Sequence, residues 1–486
     1  MVAMSEQIQP KIINRWWVVV GALIIQISLG AVYIWSIFQA PLKELFITWN
    51  ESDVTLPAQI VLVAFALAVI FGGRLQDKFG PRVIATAGGL MLGCGLILAG
   101  LTGNFDERTA LFWLIATFSV IGGAGIGMAY VCPIATCIKW FPDKRGLVTG
   151  LAVAGFGAGA FFFAPLAKGL ILGGSYQLLN VSLFDLPKLG IFNTFMVIGI
   201  IFLVAVVSGA QLLRNPPDGY VPAGWTRTLT TSAITSQNVD YTSKEMLRTP
   251  MFWVLWLTYF AGATAGLLVI MKAAPIYNSF SISAMTSPIA EVDFMTISTQ
   301  ATMAVSILAI FNSSGRILWG KISDNIGRKK TLVMIFLICG TTMLSLGSMQ
   351  TYTLFLLGIS LVGLCFGGFL ALYPALTADF FGTKNIGVNY GWMFSAYGAG
   401  GFFGPFLAAW LMKKVADVPY QLTDNAGNIV QKTFTVGEYG TAFFVAGIIC
   451  LIAAILVGIA LKKPLSKTED RTMLILPSKP EIHHAH

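Results

Sequence analysis

The chain has 486 residues, of which 56% are hydrophobic and only 11% are charged. A soluble globular protein carries about 25% charged residues, so this composition, with a mean hydropathy of +0.76, excludes an ordinary water-soluble protein. The net charge of +9 comes from basic residues spread over many segments, which gives no support to a nucleic-acid-binding patch.

Twelve apolar runs predict an all-α membrane protein with twelve transmembrane helices. A bilayer core about 30 Å thick needs about 20 apolar residues per helix. The first run begins at Trp16, after Lys11 and Arg15, and has no cleavage-like site, so a membrane helix is predicted there and not a signal peptide. The predicted runs are 16–38, 57–76, 82–102, 109–139, 146–172, 189–213, 250–277, 295–320, 330–350, 352–380, 386–412 and 440–462.

The distribution of basic residues predicts the orientation. With the amino terminus inside, 22 of the 31 Lys and Arg residues face the cytoplasm and 8 face the outside, which leaves only Arg316 within a span. Cytoplasmic loops carry the excess of Lys and Arg in membrane proteins. We therefore expect a multi-pass protein of the cell (inner) membrane with both termini in the cytoplasm.

The chain divides into two halves that repeat each other. A polar stretch rich in Thr and Ser predicts a linker at 214–249, between bundles at 1–213 and 250–462 and before a tail at 463–486. The turn after the second run reads Gly73-Arg-Leu-Gln-Asp77-Lys-Phe-Gly80-Pro-Arg82, and the turn after the eighth reads Gly320-Lys-Ile-Ser-Asp324-Asn-Ile-Gly327-Arg328. Such duplication is typical of a transporter with two pseudo-symmetric six-helix bundles around a midplane site.

The repeated turns also predict a conformational latch. Glycine lets helices approach closely, and a carboxylate beside a helix amino terminus satisfies free amide groups and the positive end of the dipole. We expect these turns to hold the cytoplasmic ends of the bundles together in one conformation, the alternative being that they only cap a tight turn. The predicted latch residues are Gly73, Asp77, Gly80, Arg82, Gly320, Asp324, Gly327 and Arg328.

Arg316 is the one charge predicted inside the membrane. An arginine there costs at least about 2.5 kcal/mol on insertion scales and persists where it faces a cavity or a partner. No Asp or Glu lies deep in any run, so we expect its counter-ion to be the carboxylate of a substrate, held by the guanidinium fork. Asn312, one helical turn away, is expected to orient the guanidinium or the anion. The alternative is that Arg316 extends to the membrane interface.

Three aromatic residues are predicted at the same depth as Arg316. Arg316 lies eight residues before Asp324, and Tyr130, Phe156 and Tyr397 each lie ten residues from the cytoplasmic end of their own span. At 1.5 Å per residue these separations are roughly 12 to 15 Å, about half the hydrocarbon thickness. Four helices are thus expected to contribute to one site, although packing alone is the alternative for each aromatic.

The repeated turns resemble the loop signature of the major facilitator superfamily, with Pro81 a departure in the first copy. Two further strings, Trp140-Phe-Pro-Asp-Lys-Arg-Gly146 and Met246-Leu-Arg-Thr-Pro-Met-Phe-Trp-Val-Leu-Trp256, resemble the oxalate:formate antiporter and monocarboxylate transporter branch. The resemblance implies the major facilitator fold and secondary transport, not enzyme activity.

The resemblance also implies site residues. Similar pockets in oxalate exchangers pair an arginine of the eighth helix, matched here by Arg316, with an aromatic cage. The matching cage positions are Tyr33, Tyr130, Phe156, Phe366 and Phe394. The second cation of those exchangers, a lysine, falls at Tyr397, so one fixed charge is missing here. One arginine with tyrosine hydroxyls suits a monocarboxylate such as lactate, pyruvate, formate or acetate.

The sequence therefore predicts a secondary active transporter of small organic anions that works by alternating access, through proton symport or anion exchange. The alternatives are an oxalate:formate-type dicarboxylate exchanger and a transporter-like anion sensor. We expect a monomer in the lipid bilayer with no cofactor, metal site or nucleic-acid partner. The predicted substrate-binding residues are Arg316, Asn312, Tyr33, Tyr130, Phe156, Phe366, Phe394 and Tyr397.

Overall fold

The structure is a computed structural model that describes residues 14–49, 51–178, 181–217, 220–222, 240–283, 285, 289–423 and 429–461. Long α-helices dominate these residues. About half of the predicted linker and all of the predicted tail lie outside the described residues, so the domain boundaries remain predictions there.

The first half of the chain forms a helical bundle. A short 3-10 turn, Gly30–Ile34, joins α1 to α2, and a π-helical stretch, Ile115–Gly122, joins α5 to α6, so each pair makes one span. The helices are α1 Trp16–Leu29, α2 Trp35–Leu45, α3 Glu51–Phe79, α4 Pro81–Ala99, α5 Glu107–Leu114, α6 Gly123–Trp140, α7 Arg145–Leu172 and α8 Gly190–Leu212.

The second half forms a matching bundle after the short linker helix α9, Ser243–Leu247. Several of its helices begin or end a few residues away from the predicted runs, because polar residues at the ends of a span also adopt helical backbone. The helices are α10 Pro250–Ser283, α11 Glu291–Ile326, α12 Arg328–Leu346, α13 Tyr352–Phe381, α14 Ile386–Leu411 and α15 Gly440–Ala460.

Most of the long helices are apolar enough to cross a membrane. Over the described residues, 10 helical segments are long and apolar enough to cross a membrane. The long helices α11 and α14 are not among them, although each corresponds to a predicted run. Polar residues are tolerated in membrane helices that face the interior of a bundle, and the polar residues Asn312 and Arg316 of α11 are both buried.

Two antiparallel β-hairpins occupy equivalent connections in the two halves, where the sequence analysis predicted no strand. One hairpin follows α7 and the other follows α14, which extends the internal duplication to the loops. Alternating apolar residues such as Val418, Tyr420 and Leu422 are the period-two signal that could have predicted the second hairpin. The strands are β1 Gly174–Leu178, β2 Val181–Leu186, β3 Lys413–Thr423 and β4 Ile429–Glu438.

Candidate functional site

Arg316 lies on α11 where this helix crosses α7 of the first bundle, and its exposed fraction is 0%. Its Nε donates to Asn312 Oδ1 at 3.2 Å, and its Nη1 donates to the Val153 carbonyl oxygen at 2.6 Å. Nη2 has no hydrogen-bond partner, and no ion pair includes Arg316, within the part of the chain that the structure describes. The guanidinium is therefore enclosed between the bundles with donor capacity left over.

Aromatic side chains surround the guanidinium. The Phe156 ring centroid lies 6.0 Å from Arg316 Cζ and 5.4 Å from the ring centroids of both Tyr33 and Tyr130. Phe394 stacks on Tyr397, with ring centroids 4.7 Å apart. These side chains close on one another and leave no room for a water molecule between them. A ligand can enter only if the two bundles move apart.

A pair of tyrosine hydroxyls joins the bundles across this site. The hydroxyl oxygens of Tyr33 and Tyr397 lie 2.9 Å apart. Tyr33 belongs to the 3-10 turn of the first span, whereas Tyr397 lies on α14. Only one of the two hydroxyls donates in this bond, so the other keeps a proton that it can donate to an anion.

The structure differs from the sequence analysis at the edge of the cage. Phe366 does not line the enclosed site but lies behind Tyr397, at 6.2 Å between ring centroids. Phe65 of α3 and Leu370 of α13 line it instead. Leu370 could have been found because it lies one helical turn after Phe366, and side chains four residues apart share a helix face. Phe65 carried no motif that would have distinguished it.

Asp77 joins the end of α3 to the first turn of α14 in the other bundle. Its Oδ2 accepts from the Val388 backbone amide at 2.8 Å, and its Oδ1 accepts from the Gly387 amide at 3.1 Å. Gln76 Nε2 also donates to Oδ1, at 2.5 Å, and Lys139 Nζ lies 3.9 Å from the same oxygen. A carboxylate in this position satisfies free amides at the positive end of a helix dipole.

Asp324 repeats this arrangement with the roles of the bundles exchanged. Its Oδ2 accepts from the Leu147 amide at 2.8 Å, and its Oδ1 accepts from the Gly146 amide at 3.0 Å, in the first turn of α7. Arg328 Nη1 lies 2.6 Å from Asp324 Oδ1, and Arg328 Nε lies 3.1 Å from Asp379 Oδ2. We refer to the end of the molecule that contains Asp77 and Asp324 as the latch end.

A further ion pair joins the two bundles at this end. Arg145, the first residue of α7, donates from Nη1 to Asp379 Oδ1 on α13 at 2.7 Å. Asp379 thus forms an ion pair with one arginine from each bundle. The positions equivalent to Arg328, Asp379 and Arg145 in the repeat hold Pro81, Ile138 and Ile386, so these ion pairs are not duplicated.

Three other predicted latch residues have local roles. Arg82 lies outside the latch, since its Nη2 donates to the Gln211 carbonyl oxygen at 2.6 Å within the first bundle. Lys139, which the sequence analysis did not include, is the cation nearest to Asp77. Gly80 and Gly327 have φ of 87° and 93°, a conformation that other residues rarely adopt, and each permits the sharp turn between two successive helices.

Glycines hold the bundles in close contact at the latch end. A Cβ atom on Gly73 would lie 2.1 Å from the Gly387 carbonyl oxygen, and one on Gly320 would lie 2.3 Å from that of Gly146. Such distances are possible only without side chains, as in other close helix crossings of membrane proteins. The two crossings are equivalent positions of the two halves.

We expect Gly150→Ala to displace Arg316 by forcing α7 and α11 apart. The added Cβ would lie 2.1 Å from the Arg316 carbonyl oxygen, so α7 and α11 must separate and Arg316 must move away from Val153. Overpacking of this kind costs about 1 to 3 kcal/mol. A lower melting temperature and reduced transport by the purified protein would check this. Gly458→Ala is the matched control, because its Cβ would meet nothing within 4 Å; equal effects of the two substitutions would contradict the steric argument.

Comparison with known proteins identifies the family. The family model of the Major Facilitator Superfamily matches residues 16–290 and 273–479. The chain belongs to the Major Facilitator Superfamily. Like the other members of this family, it is an integral membrane transporter and not an enzyme, as predicted.

Individual relatives give finer comparisons. The chain is 31% identical to the oxalate:formate antiporter of Oxalobacter formigenes over 82% of this chain and 84% of the relative. It is 25% identical to apicoplast pyruvate carrier 1 of Toxoplasma gondii over 74% of this chain and 70% of the relative. A proton:xylose symporter structure aligns with a TM-score of 0.65 at 14% identity, covering 94% of this chain and 98% of that one. At this identity the xylose symporter is evidence of the fold alone, and it confirms the predicted major facilitator architecture.

Proposed function

We propose that this transporter moves small organic anions, with a monocarboxylate such as lactate, pyruvate, formate or acetate as its substrate. The observation that carries the proposal is the buried Arg316, whose Nη2 has no partner and which forms no ion pair within the described residues. A buried charge without a counter-ion is costly. A substrate carboxylate that receives Nη2 would remove this cost upon binding.

The surroundings of Arg316 favour a small, planar anion. Phe65, Phe156 and Phe394 enclose the guanidinium with apolar rings, and low dielectric surroundings strengthen the attraction between guanidinium and carboxylate. The Tyr33 and Tyr397 hydroxyls supply hydrogen bonds for the second carboxylate oxygen or for a substituent. Two of the relatives, an oxalate:formate antiporter and a pyruvate carrier, are named for small carboxylates.

This arrangement supports transport by alternating access. Arg316 of the second bundle donates to Val153 of the first, and Tyr33 of the first bundle bonds to Tyr397 of the second. A carboxylate that binds between them exchanges these bonds for bonds to itself. The bundles can then separate at one end or the other. Anion exchange needs no titratable group in the site, whereas proton symport would carry the proton with the substrate.

The site favours a monoanion over a dianion because it holds one fixed cation. The resemblance to the oxalate exchangers implies a second cation, a lysine, at the position of Tyr397, whereas the Tyr397 hydroxyl here bonds to Tyr33. A dianion would leave one carboxylate without a charged partner in a buried site. The dicarboxylate exchanger is therefore the second candidate, favoured by the 31% identity to the oxalate:formate antiporter.

Tyr397→Lys is expected to shift selectivity toward dianions. The added ammonium supplies the second charge, and a charged hydrogen bond is worth about 1.5 to 3 kcal/mol, so the preference for oxalate over formate should rise about tenfold or more. Competition by each unlabelled anion against labelled substrate in proteoliposomes measures this preference. Tyr397→Phe, which loses the bond to Tyr33 without gaining a charge, should weaken binding and leave the preference unchanged. Unchanged selectivity in Tyr397→Lys would contradict the charge argument.

The same proteoliposomes distinguish a transporter from an anion sensor of similar fold. Proteoliposomes that contain a transporter and are loaded with unlabelled substrate transiently accumulate labelled substrate from outside by counterflow. Proteoliposomes that contain a sensor do not.

We propose in addition that the protein is a monomer of the cell (inner) membrane with both termini in the cytoplasm, as the excess of basic residues on that face supports. Site-directed labelling of the two termini in intact cells tests this orientation.

A further inference from the structure

We propose that the hydroxyl groups of Tyr130, Tyr259 and Tyr390 form a second binding station for the carboxylate, between the Arg316 site and the latch end. This inference rests on the proposed function and extends it by assigning a path. Tyr259 and Tyr390 belong to neither the predicted cage nor the enclosed site around Arg316. The station would hold the anion transiently after it leaves the guanidinium.

The three tyrosines are buried, and the hydroxyls of Tyr259 and Tyr390 leave hydrogen-bonding capacity unused. Tyr130 and Tyr390 each have an exposed fraction of 1%, and Tyr259 has 0%. The Tyr390 hydroxyl lies near the hydroxyls of both Tyr130 and Tyr259, but the hydroxyls of Tyr259 and Tyr390 have no hydrogen-bond partner of good geometry among the described residues. Buried hydroxyls are usually paired, and phenylalanine would fill the same space without this cost. Packing alone therefore does not explain these hydroxyls.

One face of α14 connects this cluster to the Arg316 site. Tyr390, Phe394 and Tyr397 are spaced at four and three residues, so they share a helix face. Their ring centroids lie 5.7 Å apart for the first pair and 4.7 Å for the second. Tyr390 is three residues from Gly387 of the latch and Tyr397 is ten, so Tyr390 lies about 10 Å nearer to the latch end.

The cluster also spans the interface between the bundles. Tyr130 belongs to α6 of the first bundle, whereas Tyr259 and Tyr390 belong to α10 and α14 of the second. Opening at the latch end separates Tyr130 from the other two and creates space between the hydroxyls. A carboxylate that has left Arg316 would lose its charged hydrogen bonds, and hydroxyl donors replace part of them. Because neutral donors bind an anion more weakly than a guanidinium, the station does not trap the substrate.

The test compares the two faces of the membrane. The double variant Tyr259→Phe with Tyr390→Phe keeps both rings and removes both hydroxyls. In vesicles of defined orientation, we expect the half-saturating concentration of labelled formate to rise about tenfold at the latch-end face. At the opposite face it should change by less than about twofold, because formate entering there reaches Arg316 first.

Tyr373→Phe is the matched control. The Tyr373 ring stacks on Tyr259 at 4.2 Å, but its hydroxyl already donates to Thr258 Oγ1 at 2.8 Å within the second bundle. This variant makes the same chemical change next to the cluster, and we expect no difference between the faces. A difference of the same size in Tyr373→Phe would show a general packing effect and overturn the station.

Two other results would also overturn it. An equal rise at both faces would assign the hydroxyls to the central site, and no rise at either face would leave them without a role in transport. A separate variant tests the proposed function itself. If that function is wrong, formate transport persists in Arg316→Gln, and this result does not depend on the Tyr259 and Tyr390 variants.

Discussion

Transport of a labelled monocarboxylate into proteoliposomes is expected to fall at least about 100-fold in Arg316→Gln. Two charged hydrogen bonds from one guanidinium to a carboxylate contribute about 1.5 to 3 kcal/mol each, and 1.4 kcal/mol corresponds to a factor of ten. Glutamine has no charge, and its amide cannot replace the guanidinium fork. Initial rates of uptake at several substrate concentrations measure the loss.

The same variant should fold at least as well as the natural protein. Arg316 is fully buried without an ion pair among the described residues, and a buried charge of this kind opposes folding. We therefore expect an unchanged or raised melting temperature in the absence of substrate, together with loss of the stabilisation that substrate normally provides. This combination separates a binding role from a structural one.

Arg108→Gln is the control for this prediction. Arg108 is the second residue of α5 and is exposed, whereas Arg316 is buried. The substitution makes the same chemical change. Its transport should stay within about twofold of the natural protein, as is usual for surface substitutions. Uptake at a normal rate in Arg316→Gln would show that Arg316 is not the anion anchor.

The double variant Asp77→Asn with Asp324→Asn is expected to open the latch end. Each carboxylate accepts two backbone amides across the bundle interface. Asparagine keeps one acceptor oxygen but loses the charge that the helix amino terminus favours. With about 1.5 to 3 kcal/mol for each charged hydrogen bond lost, the equilibrium between closed and open states should shift at least tenfold toward the open state.

Distance measurements between spin labels can detect this opening. Lys78 and Lys384 are exposed and lie at the end of α3 and just before α14, so Lys78→Cys and Lys384→Cys place labels on opposite bundles. Of the natural cysteines only Cys94 is exposed, and Cys94→Ser removes it. The label–label distance should lengthen in the double variant, and the transport rate should fall because the closed state is less populated.

Asp143→Asn provides the control for the latch. Asp143 pairs with Arg15 at 2.8 Å, and both residues belong to the first bundle, so this substitution breaks an ion pair without touching the interface between bundles. It should leave the label–label distance unchanged. If the Asp77 and Asp324 variants also leave that distance unchanged, these carboxylates do not hold the bundles together.

Much of the latch geometry is predictable from the amino-acid sequence because the information is local. Asp77 and Asp324 stand next to glycine turns at the ends of two equivalent helices, and a carboxylate in that setting favours a helix amino terminus. Which backbone amides of the other bundle each carboxylate contacts could not be read from either turn. Arg82 shows the limit of this reasoning, since its position in the motif suggested a latch residue and its side chain instead reaches Gln211.

Depth arithmetic along single helices was similarly effective for the site. It placed Arg316, Tyr130, Phe156 and Tyr397 at one level, and the structure has all four around one enclosed site. Phe366 was implied by the resemblance and not by depth. It lies behind Tyr397, whereas Leu370, one helical turn further along the same helix face, lines the site.

The amino-acid sequence by itself determined the membrane location, the internal duplication and the single charge that has no encoded counter-ion. These features follow from hydropathy, repeats and composition, which are properties of short segments. Only the tertiary structure decided that Phe65 lines the site, that the Val153 carbonyl accepts from Arg316, and which amides of the opposite bundle donate to each carboxylate of the latch. The physical reason is that sequence periodicity records height and face within one helix, whereas the lateral contacts between helices arise from packing of the whole protein.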